Sequence, residues 1–219
     1  MRGEWSLGLT VARTLTETIA ANRHYLFRRS VFTDQFASCG VQANSRPESS
    51  VKQLLCGVAN DSPWKFDGRF TLEAIDLGSG TATKLLQALP LNMSAAGASE
   101  WHDVTPPAPL PLASTVLLAT ITNSSGSVVH ENLIPLASPE KMELPAANVT
   151  ASVEGLSVTV ATDRPALWVV LTTAAQGRFS DNAFLLRGSR TIEFIPFMPG
   201  QEKTLKATLR VEHVAQHTI

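Results

Sequence analysis

Aromatic residues make up only 6% of this 219-residue chain, with one tyrosine, four tryptophans and nine phenylalanines. That scarcity disfavours a surface of ring upon ring built to grip a ligand along several strands. An excess of charge of either sign is also missing: 18 basic residues face 19 acidic ones, for a net charge of −1. Nucleic-acid binders carry a clustered basic excess, so no nucleic-acid partner is expected. The densest basic spot is the pair Arg28-Arg29. No run approaches the roughly 20 apolar residues that a membrane-spanning helix needs, and no membrane partner is expected. Residues 5–12, between Glu4 and Arg13, are too short and mixed for the apolar core of a secretory signal, so no signal peptide is expected. Cysteine is confined to Cys39 and Cys56, whose spacing suits no metal site. A disulfide and two unrelated thiols both remain open.

What is present is core material. Hydrophobic residues reach 44% and charged ones 17%, enough for one large domain or two small ones. Leu7, Val11, Leu15 and Ile19 recur every fourth residue, which predicts a helix over 9–28, weakened by four threonines. Residues 38–63 mix Gly, Ser, Asn and Pro and read as a loop or poorly ordered linker.

From Phe66 onward the period changes to two. Phe66, Phe70, Leu72 and Ala74 alternate with polar neighbours, as in a half-buried strand. A second strand is expected over Thr81–Leu91, behind the turn at Gly78-Ser79-Gly80. The proline-rich stretch 106–111 reads as a spacer, because proline donates no ladder hydrogen bond. Thr115–Thr122 and Val128–Leu136 read as a hairpin around Asn123-Ser124-Ser125-Gly126. Beyond Pro139, alternating runs at Val149–Val153 and Leu156–Val160 flank a Gly-containing turn. Leu167–Thr172 reads as a buried strand, and alternation returns at Thr191–Phe194 and Leu205–Val211. Short strands at regular spacing imply two sandwiches, with a boundary near Pro139–Leu144.

Four of the eight asparagines, Asn60, Asn92, Asn123 and Asn148, open an N-X-Ser/Thr pattern. Chance gives about one, so these are candidate N-glycosylation sites and hint at a secretory parent. Ser99-Glu100-Trp101 reads as a solvated loop, and His213 with His217 as a surface pair near a fraying end. Trp64 and Trp101 are candidates for a sugar-stacking platform, whereas Trp168 lies in a buried strand. No catalytic, cofactor-binding or metal-binding residue stands out.

The run Gln176-Gly177-Arg178-Phe179-Ser180-Asp181-Asn182-Ala183-Phe184-Leu185-Leu186, followed by Arg190–Phe197, resembles the C-terminal Ig-like domain of glycoside hydrolase family 2 β-mannosidases. That family carries a Gly-Arg-Phe-Ser-Asp-Asn-Gly-Phe type of run and then a strand ending in an aromatic-Pro-aromatic step. Leu133–Pro139 is similar to the end of the preceding Ig/carbohydrate-module-like domain, and the resemblance covers roughly residues 66–214. It implies an all-β chain of two immunoglobulin-like β-sandwiches behind a poorly ordered, partly helical segment. The expected domains are 1–62, 63–140 and 141–219.

The resemblance also implies a parent that hydrolyses terminal non-reducing β-D-mannose in a lysosomal or secreted setting, without a cofactor. The family's two catalytic glutamates lie in a preceding (β/α)₈ barrel, which the first 60 residues are too few to form. This chain is therefore expected to be non-catalytic, with that barrel as its partner and a glycan as a second candidate. The alternative is a free-standing carbohydrate-binding or adhesion module. Ser99-Glu100-Trp101 only superficially resembles the family's nucleophile setting, with His102 where a glycine belongs. Arg178, Phe179, Asp181 and Asn182 form a candidate loop with two readings. Either Asp181 or Asn182 braces the turn while Phe179 and Phe184 enter the core, or the loop docks on the barrel, with Arg178 pairing a carboxylate there.

Overall fold

The computed structural model describes residues 33–41 and 49–217. The helix expected over 9–28 lies outside them. The chain divides into two compact units, one ending at Leu136 and the other beginning at Ala137; the turn Asp76–Thr81 groups with the second.

In the first unit, β1 (Gln35–Val41), β3 (Leu54–Asn60) and β6 (Ala98–Val104) form one antiparallel sheet in the order β1-β3-β6. A second sheet runs β5-β4-β8-β9, from β4 (Phe66–Asp76), β5 (Ala82–Met93), β8 (Thr115–Asn123) and β9 (Val128–Pro135). Phe70, Leu72, Leu117 and Ile121 from the second sheet share a core with Ala37, Leu54, Cys56 and Val58 from the first. This is the two-layer solution for sheets with one apolar face.

Within 38–63, residues 38–41, 50–51 and 54–60 are thus strands, not linker, and the first sandwich begins well before residue 63. Their alternation is real but muted. Ala37, Cys39, Leu54, Cys56 and Val58 face inward, while beside Leu55 the outward positions hold the small Ser38, Gly40, Gly57 and Ala59. Such small residues resemble loop composition, although they lie on a sheet surface. The proline-rich spacer also contributes β7 (Leu110–Pro111), which pairs with β2 (Ser50–Val51). Ser99-Glu100-Trp101 lies within strand β6, not a loop.

Cys39 and Cys56 sit directly opposite each other and are joined by a disulfide, S–S 2.03 Å. The bond ties neighbouring strands of one sheet, unlike the inter-sheet bridge of antibody domains.

The second unit has a sheet in the order β10-β11-β15-β13, from β10 (Val149–Glu154), β11 (Ser157–Thr162), β13 (Gly177–Phe179) and β15 (Ser189–Pro196). Opposite it lies β14-β12-β16, from β12 (Ala166–Thr172), β14 (Phe184–Leu186) and β16 (Arg210–Glu212). The β10–β11 hairpin turns through Gly155 at φ +59°, a left-handed conformation that glycine adopts without strain. Trp168 also has φ +50°, at the register shift in β12, with its ring in the core.

Alternation misleads at Leu205–Val211. Glu202–Thr208 form a helix, α1, and only Arg210–Glu212 are extended. Leu205 and Leu209 satisfy a spacing of four as well as of two. Burial of Leu205 against Phe194 and its neighbours in the core accompanies the helical choice. His213 is likewise no surface residue: it is 3% exposed, and burial lowers its pKa against the opposing effect of the Ala147 backbone.

Candidate functional site

The stretch 176–186 is held from both sides. Gly177 has no room for a side chain, since a Cβ there would lie 2.4 Å from the Phe194 ring and 2.6 Å from the Ile195 carbonyl oxygen. Phe179 then enters the core and meets Phe194 edge to face at 5.3 Å between centroids. Phe184, five residues on, is buried in the same cluster.

Between the two phenylalanines, Asn182 acts as a substitute strand partner. The Leu171 N–H donates to its Oδ1 at 2.8 Å, and its Nδ2 donates to the Leu171 carbonyl at 2.9 Å. Both backbone groups of a buried β12 residue are thereby satisfied by one side chain. Asp181 Oδ1 accepts from the Asn182 N–H at 2.8 Å, and its Oδ2 pairs with Arg190 at 2.6 Å. The Arg190 guanidinium lies 4.7 Å from the centre of the Phe184 ring. Ala183, where the family's run carries glycine, adopts φ +59°.

Of the four residues singled out in sequence, Phe179, Asp181 and Asn182 therefore act within their own unit. Arg178 alone is directed outward: it is exposed and makes no ion pair among the described residues. Antiparallel pairing places it opposite Ile195, two residues from Gln176 and Phe197, where the Phe197 N–H donates to the Gln176 carbonyl at 3.0 Å. Phe197 is 73% exposed. Arg190 was not visible as a participant, because its role depends on β15 lying beside the loop.

The four candidate glycosylation asparagines separate sharply. Asn60 is 0% exposed. Its Oδ1 accepts from Gln35 Nε2 at 3.0 Å and Ser62 Oγ at 2.8 Å, while its Nδ2 donates to the carbonyls of Trp64 and Ser94 at 2.9 Å each. Its side chain is used as a structural bracket. Asn123 is half-buried, and its Oδ1 closes the β8–β9 turn by accepting from the Ser125 and Ser127 N–H groups. Asn92 and Asn148 are exposed.

Glu100 and Trp101 lie on opposite faces of β6. Glu100 is half-buried, 3.7 Å from His102 Nε2, and Trp101 is 65% exposed. Among the described residues, no three His, Cys, Asp or Glu side chains are grouped to hold a metal ion, and no helix is long and apolar enough to cross a membrane.

A family model of the mannosidase Ig domain, an Ig-fold domain, matches residues 140–217. No curated protein matches the sequence. Among solved structures, the β-D-mannosidase of Dictyoglomus thermophilum is similar at 20% identity with a TM-score of 0.64, over 87% of this chain and 23% of that one. The exo-chitosanase of Amycolatopsis orientalis, solved with PNP-β-D-glucosamine, is similar at 16% identity with a TM-score of 0.52, over 87% of this chain and 26% of that one. The chain thus spans about a quarter of the length of these enzymes, and the likeness is one of fold. Residues 140–217 thus match the Ig-fold domain of the mannosidase type, and the described chain as a whole shares a fold with part of each enzyme.

Proposed function

We propose that this chain is the non-catalytic C-terminal accessory region of a β-mannosidase whose catalytic barrel lies elsewhere in a longer protein. The parent would release terminal non-reducing β-D-mannose from glycans. The observation that carries the reading is the mannosidase Ig-domain match over 140–217, supported by the fold likeness to a β-D-mannosidase. Retaining hydrolysis needs two carboxylates about 5 Å apart across one bond, and we assign that pair to the barrel. The outer face of the β13–β15 edge, with Arg178 and Phe197, is the surface we assign to docking on it. An oxidising secretory or lysosomal setting fits the Cys39–Cys56 bond and the exposed Asn92 and Asn148.

The test has two parts. The purified 219-residue chain is expected to leave p-nitrophenyl β-D-mannoside intact, and turnover by it would end the accessory reading. The coding sequence upstream is expected to run in frame into a barrel with two glutamates. In that longer protein, Arg178→Ala or Phe197→Ser should lower the melting temperature while leaving the isolated chain unchanged. Equal losses in both would assign these residues to the unit's own stability.

A further inference from the structure

The indole of Trp101 lies on Gly57, its partner in the neighbouring strand β3. A Cβ built at Gly57 would stand 2.9, 3.1 and 3.2 Å from Cζ3, Cη2 and Cε3, three successive ring atoms. Near-equal distances of that kind describe a point above the ring face, since an approach in the ring plane would leave the flanking atoms much farther off. One face of the indole is therefore laid on the sheet, and the ring is still 65% exposed. Gly57 is what lets the ring lie down, for any side chain there would lever it up.

On that outer face the neighbours of Trp101 within its own strand are small and polar. Along β6, Ser99 and Asp103 flank Trp101 two residues away on each side, and both are exposed. That spacing is about 7 Å along a strand, close to the scale of one sugar ring and its linkage. Across the sheet, Ser38 follows Gly57 in the same row, while the adjacent rows run from Asp103 to Leu55 and Gly40 and from Ser99 to Ala59 and Phe36. A protein partner's anchors need a broad apolar patch or a pocket, whereas Trp101 is the one large apolar side chain exposed among these rows, Leu55 and Phe36 being half-buried. A pyranose ring differs: it offers one flat C–H face for stacking and a rim of hydroxyls for hydrogen bonds.

We propose that the outer face of the β1-β3-β6 sheet is a saccharide-binding surface, on which Trp101 stacks the C–H face of a β-linked hexopyranose. Ser99, Asp103 and Ser38 form its polar rim. The site lies within the first unit and stands whether or not a catalytic barrel adjoins the chain.

The full chain would be titrated with β-1,4-linked mannohexaose and cellohexaose by calorimetry and tryptophan fluorescence. Saturable binding is expected for at least one of them, with a change in indole emission. Trp101→Ala should weaken it by about tenfold, and Trp64→Ala, at the other indole exposed among the described residues, should leave it within about twofold. Gly57→Ala keeps the indole but tilts it, and should weaken binding too. Circular dichroism confirms that each variant is folded. If Trp101→Ala does not fold, the wild-type indole N–H resonances, assigned with Trp5→Phe, Trp64→Phe and Trp101→Phe, still decide the matter: saccharide must shift Trp101 and spare Trp64. Absence of saturable binding to both probes, unchanged affinity in folded Trp101→Ala, or shifts at Trp64 instead would overturn the proposal.

Discussion

Replacing Asn182 with alanine isolates the contribution of one side chain that completes a strand. In the native unit the amide bonds both the N–H and the carbonyl of Leu171, at 2.8 and 2.9 Å, and Leu171 is 2% exposed. Alanine removes both bonds and leaves a buried donor and a buried acceptor without those partners. Each orphaned group costs about 1–3 kcal/mol, so a loss of about 3 kcal/mol is expected after partial relaxation. For a unit of this size that corresponds to a fall of roughly 12–24 °C in melting temperature. Urea denaturation followed by tryptophan emission reads the change directly, because Trp168 lies three residues from Leu171 in the same strand. Asn182→Asp keeps an acceptor for the Leu171 N–H but presents a carboxylate oxygen to the Leu171 carbonyl, and should also destabilise. A loss below about 1 kcal/mol for Asn182→Ala would refute the bracing role, since even one orphaned buried group exceeds it.

Other outcomes follow from the same geometry. Ala183→Gly should stabilise the second unit by roughly 0.5–1 kcal/mol. The left-handed φ of +59° costs an alanine about 1–2 kcal/mol, of which glycine's greater freedom when unfolded returns about 0.4–1; a lowered melting temperature would contradict this. His130 is 3% exposed, its Nδ1 lies 3.1 Å from Thr33 Oγ1, and burial lowers its pKa from 6.5 to about 4 despite the opposing Ala37 backbone. The stability it protects is complete above pH 6.5 and drains away as pH falls towards 4, by about 3 kcal/mol. His130→Asn should flatten that part of a stability–pH curve, and an unchanged slope would count against the assignment. Reducing Cys39–Cys56, whose partners are 17 residues apart, should cost about 3 kcal/mol in the first unit; an unchanged urea midpoint under reductant would disprove it. After expression in a glycosylating host, mass spectrometry should find glycan at Asn92 or Asn148 and none at Asn60, whose occupancy would contradict its burial.

The candidate loop shows how far sequence reading reached. Phe179 and Phe184 were recognisable as core residues beside a polar turn, because apolar and turn-forming character are local properties. The partner of Asn182 was not, since Leu171 lies 11 residues earlier and is brought alongside only when the sheet forms. Arg190 was hidden for the same reason. Asn60 shows the reverse case: a glycosylation pattern is three residues long, but its use depends on exposure, and the fold buries this one.

By itself the sequence determined the all-β class, the β8–β9 and β10–β11 hairpins and the buried strand β12. Alternation, glycine turns and apolar runs act over a few residues and survive in any context. Only the tertiary structure decided that 38–41 and 54–60 are sheet strands, that Cys39 meets Cys56, and that Glu202–Thr208 coil around Leu205. It also laid Trp101 on Gly57, 44 positions away in the chain. These outcomes depend on which distant surface covers a residue. Strand, loop and helix compositions overlap when small residues dominate, and packing then makes the choice.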